Sequence, residues 1–217
     1  RFESRGLGDV YKRQLLEGDM LLHGEPYNPK SPADAISKGI FMCPKDRATN
    51  AVVSDFDITN NMVLPFLDRH SWFSFLKPKN LERKATVSIS ELGIVCQSEL
   101  DLVTTLSGGK QQKVMIGRWL SEKSEVLLLD EPFQGVDIKA RRDIGSQIRQ
   151  SSKDRATLVF VAELDEAVEI ADKIVVLHEG SYAGIFENKE SNIVDILSLY
   201  SGKPPETLAE ARGSLNG

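Results

Sequence analysis

The sequence predicts an α/β fold built on a parallel β-sheet, and two features of its second half indicate this. Residues 126–129, Val-Leu-Leu-Leu, form a continuous apolar run, which is typical of a strand buried on both faces of a parallel sheet. Downstream, short apolar segments alternate with amphipathic helical patterns. Strands that alternate with helices are typical of βαβ units, so we expect a parallel sheet with helices packed on it.

The composition is that of a globular protein and excludes several classes of function. The chain has 217 residues, is 41% apolar and 27% charged, and carries a net charge of −5. Its acidic and basic residues are mixed, so no basic face for nucleic acid is expected. Cys43 and Cys96 are isolated cysteines and the histidines are scattered, which argues against a disulfide or a metal centre. No stretch reaches the roughly 18 apolar residues of a membrane span.

The first part of the chain predicts a leader followed by short elements. Residues 1–14 show neither strand nor helix periodicity, and we interpret them as a non-native leader. Residues 19–22 precede a turn at 23–26. Ser31 and Pro32 are typical of the cap and first position of a helix. Gly39 is predicted to end that helix, before a short strand at 40–42.

The rest of the chain predicts a helical subdomain and then the sheet. Residues 60–67 and 81–92 have helical patterns, separated by the aromatic cluster Trp72, Phe73 and Phe75, and no strand pattern is strong there. We expect a helix from Gly109 to about Leu120, a helix from Lys139 onward with Ile144 and Ile148 on one face, and a helix at 164–171. The strands are predicted at 126–129, 157–162, 174–177 and 182–186, and a turn at residues 179–181 is predicted to join the last two. The predicted organisation is a leader at 1–14, a partial domain at 15–203 (helical subdomain about 46–105, core about 106–186) and a polar tail at 204–217.

A glycine turn opens the helix that follows residue 106. Its sequence is Leu106-Ser107-Gly108-Gly109-Lys110-Gln111-Gln112. Consecutive glycines let the backbone approach a phosphate closely, and the unpaired N–H groups of a helix start favour an anion. Ser107 adds a hydroxyl donor. The alternative is a simple serine-capped helix, but the polar helix and the downstream strand favour a phosphate-binding role.

Two carboxylates follow the apolar strand. Asp130 and Glu131 come directly after residues 126–129 and are followed by Pro132. The carboxyl ends of parallel strands are where nucleotide sites form in α/β folds. Asp130 is predicted to hold Mg²⁺ and Glu131 to polarise an attacking water. A solvated turn is the alternative for an isolated Asp-Glu pair.

The order and spacing of these two segments resemble the signature and Walker B motifs of ATP-binding-cassette (ABC) ATPases. Within that family, the sequence is most similar to the second nucleotide-binding domain of bacterial importers of ribose, galactose or xylose. The similarity lies in residues 31–36 with Gly39, 44–47, 106–114 with 117–120, and 130–137. It covers about residues 15–202 and implies a P-loop NTPase fold: a RecA-like parallel sheet, a helical subdomain and an antiparallel β edge.

The resemblance implies a role for each candidate site residue, with ATP and Mg²⁺ as cofactors. The signature residues Ser107, Gly108, Gly109 and Gln111 would contact the γ-phosphate of ATP held by an opposing domain. Asp137 matches the D-loop, Gly135-Val136-Asp137, although it could equally cap the following helix. Lys45, in Lys45-Asp46-Arg47, lies where the family has its Q-loop.

The resemblance also implies partners and a location. It implies a second ABC domain, a membrane permease and, indirectly, a periplasmic sugar-binding protein, with no nucleic acid. The chain would then lie peripherally on the cytoplasmic face of the bacterial inner membrane. Two alternatives stay open: a non-hydrolysing partner domain that donates its signature motif to another domain's ATP, and an ABC ATPase outside transport.

Several positions depart from the family pattern. The sequence contains no GxxxxGK[ST] motif (Walker A), and we interpret the chain as a C-terminal nucleotide-binding domain that is incomplete at its N-terminus. Such a chain is expected to bind ATP barely, if at all, when alone. Ala162 stands where many members have a histidine. Lys45 replaces a glutamine or glutamate, and Lys110 replaces an asparagine.

Overall fold

The structure is a computed structural model that describes residues 18–46, 52–72, 75–76 and 78–203. The predicted leader, the predicted polar tail, Arg47 and Phe73 lie outside the described residues. The strands are β1 Leu21–Leu22, β2 Glu25–Pro26, β3 Ile40–Cys43, β4 Ser71–Trp72, β5 Phe75–Leu76, β6 Val126–Asp130, β7 Ala156–Phe160, β8 Lys173–His178 and β9 Ser181–Glu187. The α-helices are α1 Pro32–Ser37, α2 Ile58–Val63, α3 Pro78–Glu91, α4 Gly108–Leu120, α5 Ile138–Gln150, α6 Leu164–Ile170 and α7 Ile193–Tyr200. Short 3₁₀ helices cover Leu64–His70, Val103–Thr105 and Glu190–Asn192.

A three-stranded parallel sheet confirms the predicted α/β fold. Its strand order is β3-β6-β7, with Cys43 opposite Leu129 and Leu129 opposite Val159. Phe41, Leu127 and Leu129 on one face are fully buried. They form one core with residues of α4 and α5, because the apolar side chains of the strands lose most contact with water only when helices cover them. The sheet therefore brings the carboxyl ends of three strands to one edge.

The segment for which a helical subdomain is predicted contains α2 and α3, whose boundaries differ from the predicted helices. α2 begins at Ile58, earlier than predicted, because the Asp57 side chain accepts the Asn60 N–H at 2.6 Å and caps the helix. A second core joins Ile58 and Met62 of α2 to residues of α3 and α4. The hairpin β4–β5 was not predicted, because strands of two residues each carry no detectable period.

Strand β8 forms the predicted hairpin with the strand that follows it. It pairs antiparallel with β9 through a turn at Glu179 and Gly180, whose φ angles are 49° and 75°. The chain divides into two compact units, one at 33–171 and the other at 1–32 with 172–217. Strand β3 thus belongs to the unit at 33–171, which holds the parallel sheet. Strands β8 and β9 belong to the other unit. None of the helices in the described part of the chain has the length and hydropathy needed to cross a membrane.

Candidate functional site

The two predicted catalytic carboxylates lie at the carboxyl end of β6. Asp130 is the last residue of the strand, and Glu131 follows with φ +48°. A non-glycine residue at positive φ is uncommon and is held there by its surroundings. The Glu131 N–H donates to the Phe160 carbonyl at 2.9 Å, and the Glu131 carbonyl accepts from the Gln134 N–H at 3.1 Å. The backbone of Glu131 is therefore fixed between the ends of β6 and β7.

Lys45 reaches the same edge of the sheet from β3. Its Nζ lies 3.9 Å from Oε1 of Glu131, and the two side chains are 51% and 19% exposed. An ion pair of which one partner is half exposed contributes at most about 1 kcal/mol. The structure thus brings together two of the residues that the sequence singled out separately.

Glu166, in the first turn of α6, belongs to the surroundings of Glu131. Burial raises the pKa of its carboxyl, and the negative charge of Glu131 raises it further. Arg141 pairs with the neighbouring carboxylates of Asp165, at 2.8 Å, and Glu169, at 3.2 Å. This group was not predicted from the sequence. The acidic residues that directly follow β7 were the available signal, because that strand ends beside β6.

The signature segment presents an exposed serine at the start of α4. Ser107 is the N-cap residue, with an extended backbone, and its side chain makes no capping hydrogen bond. Its carbonyl accepts from the Gln111 N–H at 2.9 Å. The Gln111 side-chain amide donates to the Leu106 carbonyl at 3.0 Å, so Gln111 stabilises the turn. The geometry does not match the simple serine-capped helix, in which the hydroxyl of Ser107 would accept a helix N–H.

The D-loop segment packs beside the signature segment. A Cβ atom on Gly109 would lie 3.7 Å from Cγ1 of Val136, so the Val136 side chain packs against the start of α4. Oδ1 of Asp137 accepts the Ala140 N–H at 2.8 Å and caps α5. Lys110 is also engaged, because its Nζ donates to the Val95 carbonyl at 2.7 Å. The predicted site residues therefore form two groups: one around Glu131, and one around Ser107 and Asp137.

Two buried cations hold the signature helix in place, and neither was predicted from the sequence. Nζ of Lys113 donates to the Leu92 carbonyl at 2.9 Å and to Oδ2 of Asp143 at 2.8 Å. Nε of Arg118 donates to the Asn61 carbonyl at 2.6 Å. Burial lowers the pKa of Arg118 to about 10, so it stays charged at neutral pH. Both cations lie within residues 112–119 of α4, all of which are buried. Two basic residues in a mostly apolar helical segment were the available sequence signal.

The residues present suit Mg²⁺ and a phosphate in part. Mg²⁺ prefers oxygen ligands and is usually held by one or two carboxylates together with substrate phosphates. Asp130, at the sheet edge, supplies a ligand of that kind. Within the described part of the chain, no three His, Cys, Asp or Glu side chains form a metal site by themselves. The exposed hydroxyl of Ser107 and the start of α4 suit a phosphate oxygen.

The chain shares its sequence pattern with known proteins. The sequence pattern described as "ABC transporter" matches residues 10–134. The galactose/methyl galactoside import ATP-binding protein MglA of Fusobacterium nucleatum is 35% identical over 189 residues, which cover 86% of this chain and 38% of that protein. The ribose import ATP-binding protein RbsA of Bacillus cereus is 35% identical over 87% of this chain and 38% of its own length. The arabinose import ATP-binding protein AraG of Yersinia pestis is 34% identical over 88% and 37%. The chain spans less than two fifths of the length of these curated relatives.

Solved structures share the fold. The dimeric ATP-binding cassette MJ0796, in a post-hydrolysis state bound to ADP and Pi, matches with a TM-score of 0.68 at 18% identity, over 80% of this chain and 75% of that chain. A bacterial Atm1-family ABC exporter with ATP bound matches with a TM-score of 0.67 at 22% identity, over 90% of this chain and 33% of that chain. At these identities, the likeness shows the fold.

Proposed function

Because the chain belongs to the ABC transporter family, we propose that it is part of an ATPase that powers import of a sugar. Its curated relatives are named as import ATP-binding proteins for galactose, arabinose and ribose. One observation carries the proposal for the chemistry. Asp130 and Glu131 end the central strand of the parallel sheet, and the backbone of Glu131 is held at positive φ by Phe160.

The mechanism assigns different work to the two carboxylates. Asp130 would hold Mg²⁺, which when bound neutralises charge on the phosphates of ATP. Glu131 would orient a water molecule and accept its proton, because its carboxylate is only 19% exposed and is aimed from a fixed backbone. Positioning of this kind is most of what phosphoryl transfer requires of a protein.

The signature group would serve a nucleotide held by a second ABC domain. Ser107 would donate its hydroxyl, and Gly108 and Gly109 their N–H groups, to phosphate oxygens. Gln111 and Asp137 would support that surface by fixing the turn before α4 and the start of α5. The remaining partners in this proposal are a membrane permease and, through it, a periplasmic sugar-binding protein. The chain would then act at the cytoplasmic face of the bacterial inner membrane.

ATP-dependent sugar uptake tests this function. The ATP-binding protein that carries this sequence is assembled with its permease in vesicles, and uptake of labelled galactose, arabinose and ribose is measured with ATP inside. We expect uptake of at least one of these sugars, and its loss on Glu131→Gln. Glu125→Gln, at a residue of the same type before β6, is the matched control and should retain uptake. Uptake that persists in Glu131→Gln would contradict the proposed role of Glu131.

A second candidate function is a non-hydrolysing partner domain. The observation that favours it is the ion pair between Lys45 and Glu131, since a carboxylate engaged by an ammonium is less available to water. In that case the exposed Ser107 would still serve the other domain's ATP. Loss of uptake on Ser107→Arg, with full uptake on Glu131→Gln, would favour this candidate.

A further inference from the structure

The ion pair of Lys45 and Glu131 is set by the register of the sheet. Cys43 of β3 pairs with Leu129 of β6, and Lys45 and Glu131 each lie two positions beyond that pair. Since neighbouring parallel strands keep their register to their ends, the two residues leave the sheet side by side. The 3.9 Å separation of Nζ and Oε1 therefore follows from strand pairing.

Two further contacts bias the carboxylate of Glu131 toward Lys45. Its backbone is fixed at φ +48° with the N–H bound to Phe160, so the carboxylate moves only by side-chain rotation. Glu166 carries a like charge that interacts with that of Glu131, and like charges repel. Among the described residues, Lys45 is the cation that forms an ion pair with Glu131. The orientation of Glu131 thus depends on Lys45.

We propose that Lys45 is a positioning residue that restrains the Glu131 carboxylate beside the end of β3 and so limits the fraction of time in which that carboxylate can reach a water molecule. The inference rests on the proposed function, in which Glu131 must reach a water molecule. The Lys45 side chain is 51% exposed, so water competes with Glu131 for its ammonium and the contact holds for only part of the time. The restraint is weak, as a releasable contact must be.

The ion pair is tested first without nucleotide. Unfolding temperatures of the 217-residue chain are compared for Lys45→Gln, Glu131→Gln and the double variant, with Lys123→Gln as an exposed-lysine control. We expect the loss in the double variant to be smaller than the sum of the single losses by about 1–3 °C. The difference should fall below about 0.5 °C in 1 M NaCl, where charges are screened. Additive losses at low salt would overturn the proposal.

The restraint is tested second in the assembled transporter by steady-state ATP hydrolysis. Lys45→Gln should raise kcat by about two- to fivefold, which is the factor that release from a weak exposed pair supplies. Lys45→Arg should keep the original kcat, and Lys45→Gln should change nothing in a Glu131→Gln background. An unchanged or lower kcat in Lys45→Gln would overturn the inference. Full activity of Glu131→Gln would instead overturn the proposed function, while the unfolding experiment still decides whether Lys45 holds Glu131.

Discussion

Replacing Arg118 by methionine tests how the signature helix is anchored. The Arg118 side chain is buried, and it donates from Nε and Nη2 to the carbonyl and Oδ1 of Asn61, at 2.6 and 3.3 Å. Asn61 is fully buried and lies near the C-terminus of α2, where helix carbonyls lack intrahelical partners and favour a cation. Its side-chain amide in turn donates to the carbonyls of Val53 and Phe56, at 3.0 and 3.1 Å. Arg118 therefore stabilises both α2 and the loop before it.

The magnitude follows from the groups left without partners. Methionine fills similar space but cannot donate, so both hydrogen bonds from Arg118 to Asn61 are lost and the buried Asn61 carbonyl loses its charged donor. We expect the free energy of unfolding to fall by about 2–4 kcal/mol. For a chain of this size, that lowers the unfolding temperature by roughly 5–12 °C. The assay is thermal unfolding followed by circular dichroism.

The control is the same substitution at an arginine on the surface. Arg142 lies exposed on α5, so Arg142→Met should stay within about 0.5 kcal/mol of the original chain. If Arg118→Met unfolds at the same temperature as Arg142→Met, the buried hydrogen bonds of Arg118 do not stabilise the helical segment. Equal unfolding temperatures would therefore contradict the anchoring role of Arg118.

Three further outcomes are expected. Burial raises the pKa of Cys43 to about 12. At pH 8 a thiol reagent should therefore label Cys96 in the folded chain and Cys43 only after unfolding. Equal labelling of both cysteines in the folded chain would contradict this. Glu131→Gln removes a like charge beside Glu166, so the pKa of Glu166 should fall. The pKa is measured from carboxyl ¹³C shifts against pH, and an unchanged value would show that the two carboxylates do not interact. A Cβ on Gly117 would overlap Cδ1 of Leu92, so Gly117→Ala should destabilise the chain by about 1–2 kcal/mol in chemical denaturation. A higher free energy of unfolding would instead show that the Leu92 side chain moves to make room.

The sequence was sufficient to predict the central strand and the ends of several helices. The apolar run at 126–129 predicts β6, because few other environments accept four consecutive aliphatic residues. Ser31, Pro32 and Gly39 predict the bounds of α1 through local backbone preferences, and the structure has Gly39 at φ +77°. These signals are local, so they can be read without knowing the fold.

The contacts that join distant segments could not be predicted in the same way. Lys113 and Arg118 bind carbonyls that lie 21 and 57 positions away in the sequence, and no pattern in α4 indicates those partners. The ion pair of Lys45 and Glu131 required the register of β3 against β6. Long-range pairing, rather than local preference, was the missing information.

The most direct test of the central claim is single-turnover ATP hydrolysis by the assembled transporter. Glu131→Gln keeps the size of the side chain and removes its capacity to accept a proton. We expect the rate of phosphate formation to fall by about a hundredfold or more, with the dissociation constant for ATP unchanged within about threefold. A rate within threefold of the original protein would contradict the claim that Glu131 activates the water.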